Sequence, residues 1–173
     1  MVMTHYMELL SSFTNLLIFM AVPVILAETL AITEFYILYN DAHTGVVRAI
    51  NRAAGVLVGV YFAAVFVYLF FTAVVPLTQT GQWRGWIDML AVGSYLAGVI
   101  PLGGIALLEL GVIFSSRTPR QKLAIHAGLI SLFLVVGHVA MVAGMVDPRL
   151  GGWRGAGMDH SAPASAQGDH GKH

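Results

Sequence analysis

The chain has 173 residues, 57% of them hydrophobic and 10% charged, with nine Lys and Arg against nine Asp and Glu and no cysteine. Soluble domains carry roughly a quarter charged residues, so this composition excludes an ordinary water-coated globule and points to an integral membrane protein. Scattered basic residues and a net charge of zero argue against nucleic acid as a partner, and the lack of thiols excludes disulfides, thiolate metal sites and covalently attached haem.

The opening stretch, MVMTHYMELLSS, has no Lys or Arg before the first apolar run. It therefore lacks the basic region of a cleaved signal peptide, and residues 1–12 are expected to form an interfacial segment. Apolar runs of about 18 or more residues read as membrane spans, and four follow, at about 13–38, 53–76, 89–114 and 123–146. The connectors NDAHTGVVRAINR, LTQTGQWRGWID and SSRTPRQK are short, which makes neighbouring spans antiparallel. The predicted fold is thus an all-α integral membrane protein, an antiparallel four-transmembrane-helix bundle over residues 13–146. Residues 147–173, rich in Gly, Ala, Ser and Pro, form a histidine-containing tail expected to be mobile.

The first and third loops hold Arg48, Arg52, Arg117, Arg120 and Lys122, against Arg84, Arg149, Arg154 and the distant Lys172 on the other side. The positive-inside rule then places both termini outside the cytoplasm, with Trp83, Trp86 and Trp153 at the outer interface.

Five ionisable groups fall within the spans: Glu28, Glu34, Glu109, His126 and His138. A charge at mid-bilayer costs roughly 2.5–3.5 kcal/mol on insertion scales, so each is a functional candidate. Depths read from the helical rise put Glu34, Glu109 and His126 near the cytoplasmic edge and Glu28 closer to the midplane. The inner groups form an expected carboxylate–imidazole cluster, suited to holding a metal or relaying protons; the plainer alternative has them pairing with Arg48, Arg52 or Lys122 at the water boundary. On the fourth span Ser131, His138, Met141 and Met145 share a face, with Met20 of the first span at similar depth. Thioethers with imidazole suit copper and also haem iron, whereas ordinary packing is the plainer reading. Pro101, followed by Leu102, Gly103 and Gly104, predicts a break in the third helix, and Pro23 a kink in the first. Gly55, Gly59 and Ala63 form a stripe of small residues for close helix contact.

The expected topology brings Met1, Met3, His5 and Met7 to the same face as Met158, His160, His170 and His173. Soft thioethers and imidazoles without thiols are a ligand set for copper, and imidazole with the flanking Asp159 and Asp169 also suits zinc or nickel. A solvated tail with no ligand is the competing reading.

The stretches MTHYMELL, PVILAETLAITEFYILYN and INRAAGVLVGVYF resemble a family of small four-span bacterial inner-membrane proteins of uncharacterised function, loosely labelled permeases. The resemblance covers the spans and leaves the histidine-bearing tail as the variable part. It implies a bacterial inner membrane, and no catalytic residues carry over with it.

Three functions compete. In the first, the protein binds or translocates a transition-metal ion, copper above all, through His5, Met158, His160, His170, His173, His138 and Met141. In the second it is a b-type cytochrome with His126 and His138 as haem ligands; these lie about 18 Å apart on one helix, so each would serve a separate haem. In the third it is a non-catalytic accessory subunit of a larger membrane complex. A homo-oligomer is compatible with all three. An enzyme is least supported, because no nucleophile–base pair, nucleotide loop or closed metal motif is present.

Overall fold

The computed structural model describes residues 2–40 and 44–155. Four helices there are long and apolar enough to cross a bilayer: Phe13–Asn40, Val46–Thr80, Trp86–Glu109 and Pro119–Met145. At about 1.5 Å per residue each exceeds the hydrocarbon thickness of about 30 Å. The second and third start at glycines with positive φ, Gly45 at 98° and Gly85 at 85°. The fourth starts at a capping box in which Thr118 and Gln121 exchange side-chain and backbone bonds, with Pro119 at the first helical position.

Span one packs on spans two and four, and span three packs on spans two and four, which closes a ring. Leu30, Val58, Phe62, Leu102 and Ile105 fill its centre with no exposed surface. Many other large apolar side chains point outward, Phe35 at 72% exposure and Ile100 at 69% among them. Water would penalise such a surface, and lipid does not. The protein is an all-α, multi-pass membrane protein.

The small-residue stripe works in part. A Cβ at Gly59 would stand 2.4 Å from Ala106 Cβ and 2.6 Å from the Leu102 carbonyl, so spans two and three touch backbone to backbone there. Gly55 faces Ile105, Glu109 and His126, whereas Ala63 is exposed. Residues four apart advance about 40° around a helix, and two such steps carry Ala63 off the contact line.

Prolines shape the spans. Pro23 has no N–H for the Phe19 carbonyl, and the helix widens to a π turn over Leu17–Ala21. The carbonyls there find other donors: Tyr95 Oη donates to Phe19 O at 2.5 Å and Tyr61 Oη to Ile18 O at 2.9 Å. A second π turn, Phe70–Val74, precedes Pro76. The third span breaks at Gly98, between the segments Trp86–Ala97 and Val99–Glu109. That is a turn before the predicted Pro101–Gly104, because a proline disrupts the bond to the carbonyl four residues earlier, here that of Ala97.

The N-terminal segment forms a helix, His5–Leu10, that docks onto the bundle end with Tyr6 and Leu10 buried. Thr4 Oγ1 donates to the Gly144 carbonyl at 2.8 Å, and a Cβ on Gly144 would stand 2.6 Å from the Tyr6 ring. Residues 147–155, the start of the segment expected to be mobile, include a 3₁₀ turn at Pro148–Gly151 with Pro148 buried.

Candidate functional site

At the bundle end that carries the first and third loops, the loop end, all four spans contribute to one polar chain. His126 Nδ1 lies 2.6 Å from Glu34 Oε2, and His126 Nε2 lies 3.6 Å from Glu109 Oε1. Arg48 donates to Glu109 Oε2 at 2.9 Å and to Asn51 Oδ1 at 2.7 Å, and Asn51 Nδ2 donates to Thr33 Oγ1 at 2.9 Å. His126 is 1% exposed and Glu34 3%. Two atoms among the described residues, Glu34 Oε1 and His126 Nε2, are buried without a partner. Glu34 engages Nδ1, so Nε2 is the ring nitrogen left without a hydrogen bond.

The sequence-predicted cluster is therefore assembled without Glu28. Its two carboxylates approach opposite nitrogens of one ring, so they do not converge on a common point. Among the described residues no three His, Asp or Glu side chains are grouped to hold a metal ion. The geometry suits charge compensation and proton exchange across the ring. Beside it, Arg48, Glu109, Arg117, Lys122 and His126 line a cavity of about 260 Å³.

Nearer the termini, Met20, Glu28, His138 and Met141 line a second cavity of about 250 Å³ between spans one and four, otherwise walled by apolar and aromatic groups such as Phe19, Phe62 and Tyr95. The π turn at Leu17–Ala21 supplies Met20 to this wall. His138 Nδ1 donates to the Leu134 carbonyl at 2.6 Å, which leaves Nε2 as the ring nitrogen not engaged by the backbone. Glu28 and His138 are both exposed, and no described hydrogen bond or ion pair reaches Glu28.

His5, placed by the sequence among soft ligands, has its Nδ1 tied to Asp88. Asp88 accepts from His5 N at 2.7 Å, meets His5 Nδ1 at 2.6 Å and accepts from Arg84 N at 3.1 Å. Arg84 also donates to Glu8 Oε2 at 2.7 Å and to the Met3 carbonyl. Here His5 fastens the N-terminal helix to the start of the third span. Burial pushes the neighbouring Tyr6 phenol up to about 12. Met158, His160, His170 and His173 lie outside the described residues.

Of the haem candidates, His126 has Glu34 and Glu109 at its two ring nitrogens, and no other described histidine lines the cavity that His138 borders with Met20 and Met141. Asn51, Thr33 and Asp88 are polar partners of the candidate residues that the sequence reading misses. Asn51 and Asp88 stand in segments read as loops, and only the early helix starts at Val46 and Trp86 turn them into the bundle. The signal for Asn51 is its position three residues after Arg48, on one helical face.

The model of a family of unknown function, DUF6803, matches residues 1–160, and the chain belongs to that family. No curated protein and no solved structure matches the chain.

Proposed function

We propose that this member of a family of unknown function handles a transition-metal ion, copper above all, in a bacterial inner membrane, with both termini outside the cytoplasm. The observation that supports this reading is the cavity whose lining includes Met20, Glu28, His138 and Met141. A carboxylate and an imidazole exposed on an otherwise apolar cavity inside a bilayer are costly unless a cation accompanies them. Two thioethers beside them select a soft ion, and the combination of Met, His and no thiol favours Cu(I). The described residues lack a three-member His, Asp or Glu group, so a site built of harder ligands has less support.

In this reading the tail ligands Met158, His160, His170 and His173 collect the ion at the outer face and the cavity receives it. His5 stays in the ligand set through Nε2, because Asp88 holds only its Nδ1. A bundle of four spans is small for a complete permease, so passage across the membrane calls for a second copy or a larger complex.

The test is copper loading of the full chain in mild detergent under reducing conditions, followed by X-ray absorption at the copper edge. Sulfur and nitrogen scatterers are expected. Met20→Leu with Met141→Leu should remove the sulfur contribution, and His138→Ala the nitrogen contribution, while a tail variant with His160, His170 and His173 all replaced by alanine lowers only the loading rate. Copper that is not retained, or is retained unchanged by the cavity substitutions, would overturn the proposal. A reduced-minus-oxidised haem spectrum from the same sample would favour the cytochrome instead.

A further inference from the structure

We infer that the loop-end cavity is a binding site for a phosphate-type oxyanion. Its lining brings Arg48, Arg117 and Lys122 together against a single carboxylate, Glu109, that Arg48 already engages. The four groups carry a net charge of +2, and the volume of about 260 Å³ accommodates a tetrahedral oxyanion with water. Arginine forks and a lysine ammonium are the usual recognition chemistry for phosphate oxygens.

A second observation comes from the cavity floor. His126 lines the same space, is 1% exposed, and has Nε2 without a hydrogen bond, its nearest carboxylate oxygen being Glu109 Oε1 at 3.6 Å. Its other nitrogen is held by Glu34. An anion in the cavity supplies a hydrogen-bond partner for Nε2, the nitrogen that Glu34 does not engage. The start of the fourth span adds to this, because Pro119, Lys122 and Leu123 bring the positive end of a 27-residue helix to the rim. Glu109 keeps its own charge compensated by Arg48, so it orients the guanidinium and does not repel the ligand outright.

The ligand is defined by its phosphate group, carried either by a lipid headgroup at the membrane edge or by free inorganic phosphate. Two measurements on the full chain separate these sources. The first is calorimetric titration of the detergent-purified protein with inorganic phosphate. The second is native mass spectrometry after reconstitution with phosphatidylcholine alone or mixed with phosphatidic acid. Saturable phosphate binding assigns a soluble ligand; selective retention of phosphatidic acid without phosphate binding assigns the headgroup.

Arg117 is exposed and Lys122 half-buried, so Arg117→Gln with Lys122→Gln leaves the packed core intact, and its affinity should fall at least about tenfold. His126→Asn keeps a donor for Glu34 and removes the Nε2 group, and it should weaken binding without abolishing it. The absence of both phosphate and phosphatidic acid binding, or affinity unchanged in the Arg117/Lys122 variant, would overturn the inference.

Discussion

His126 and Glu34 stand 92 residues apart in sequence and 2.6 Å apart in space, the ring on the fourth span and the carboxylate on the first. The contact joins those two helices inside the bundle, so it fixes their register as well as their charge. Removing one member of a buried pair leaves the other uncompensated and costs roughly 3–5 kcal/mol, more than the pair itself contributes. Glu34→Ala and His126→Ala are each expected to destabilise by about that amount in SDS titration of the protein in mixed micelles. The double substitution should lose less than the sum of the two. Additive losses would show that the two side chains act independently.

At Gly59 the second span leans its backbone on the third. A Cβ there would stand 2.6 Å from the Leu102 carbonyl, and backbone cannot turn aside as a side-chain tip can. Gly59→Ala should therefore cost about 1–3 kcal/mol in the same titration, as overpacking does. Gly128 is the control: nothing lies within 4 Å of a Cβ built on it. Gly128→Ala should be neutral or stabilising by about 0.5–1 kcal/mol, the usual gain for alanine in a helix interior. Equal effects at both positions would deny the close approach of the two spans.

These contacts show how far the sequence can be read. Apolar run length locates the spans, because a bilayer demands that length whatever the side chains do. It misplaces their ends. A run reading stops at the first arginine, so it starts the second span at about 53, whereas the helix starts at Val46 and carries Arg48 and Asn51 inward to Glu109 and Thr33. Polar residues can occupy a span when their hydrogen bonds are satisfied within the bundle, and that satisfaction depends on neighbours that one sequence does not order. The approach of Glu34, Glu109 and His126 is legible from depth alone. Their arrangement around a single ring is not, since depth says nothing of rotation. The same limit hides Asp88, which reads as part of a connector until the turn at Gly85 swings it under His5.

The docked N-terminal helix should respond to alkali. Burial raises the Tyr6 phenol to about 12, from an ordinary value of about 10. A group with a raised folded value contributes its full share to docking below the unfolded value and loses it as pH climbs through the folded one. The segment is thus expected to keep its hold below pH about 10 and loosen between about 10 and 12. Spectrophotometric titration of the tyrosines should show a component near pH 12 that disappears in Tyr6→Phe. If that substitution instead removes a component titrating near the ordinary value, Tyr6 is not buried and the segment is not docked.

The most selective test concerns Pro23 and Tyr95. Pro23 deprives the Phe19 carbonyl of its helical donor, and Tyr95 Oη supplies a replacement from the third span at 2.5 Å. Tyr95→Phe keeps the ring, which packs on Phe62 with centroids 5.2 Å apart, and removes only the hydroxyl. The orphaned carbonyl should then cost about 1–3 kcal/mol, since the bilayer interior offers no water to replace the bond. Pro23→Ala restores a backbone N–H four residues after Phe19, so the π turn can relax to an α-helix and the carbonyl regains an internal partner. In that background Tyr95→Phe should cost only a small part of its original penalty. The comparison also bears on the metal proposal, because the same π turn carries Met20 to the cavity wall beside His138 and Met141. Pro23→Ala is expected to weaken copper retention although Pro23 supplies no ligand atom, and Tyr95→Phe alone should leave retention nearly unchanged. If the hydroxyl is worth as much in the Pro23→Ala background as it is with the proline in place, the proline does not create the vacancy that Tyr95 fills, and this origin of the cavity wall is wrong.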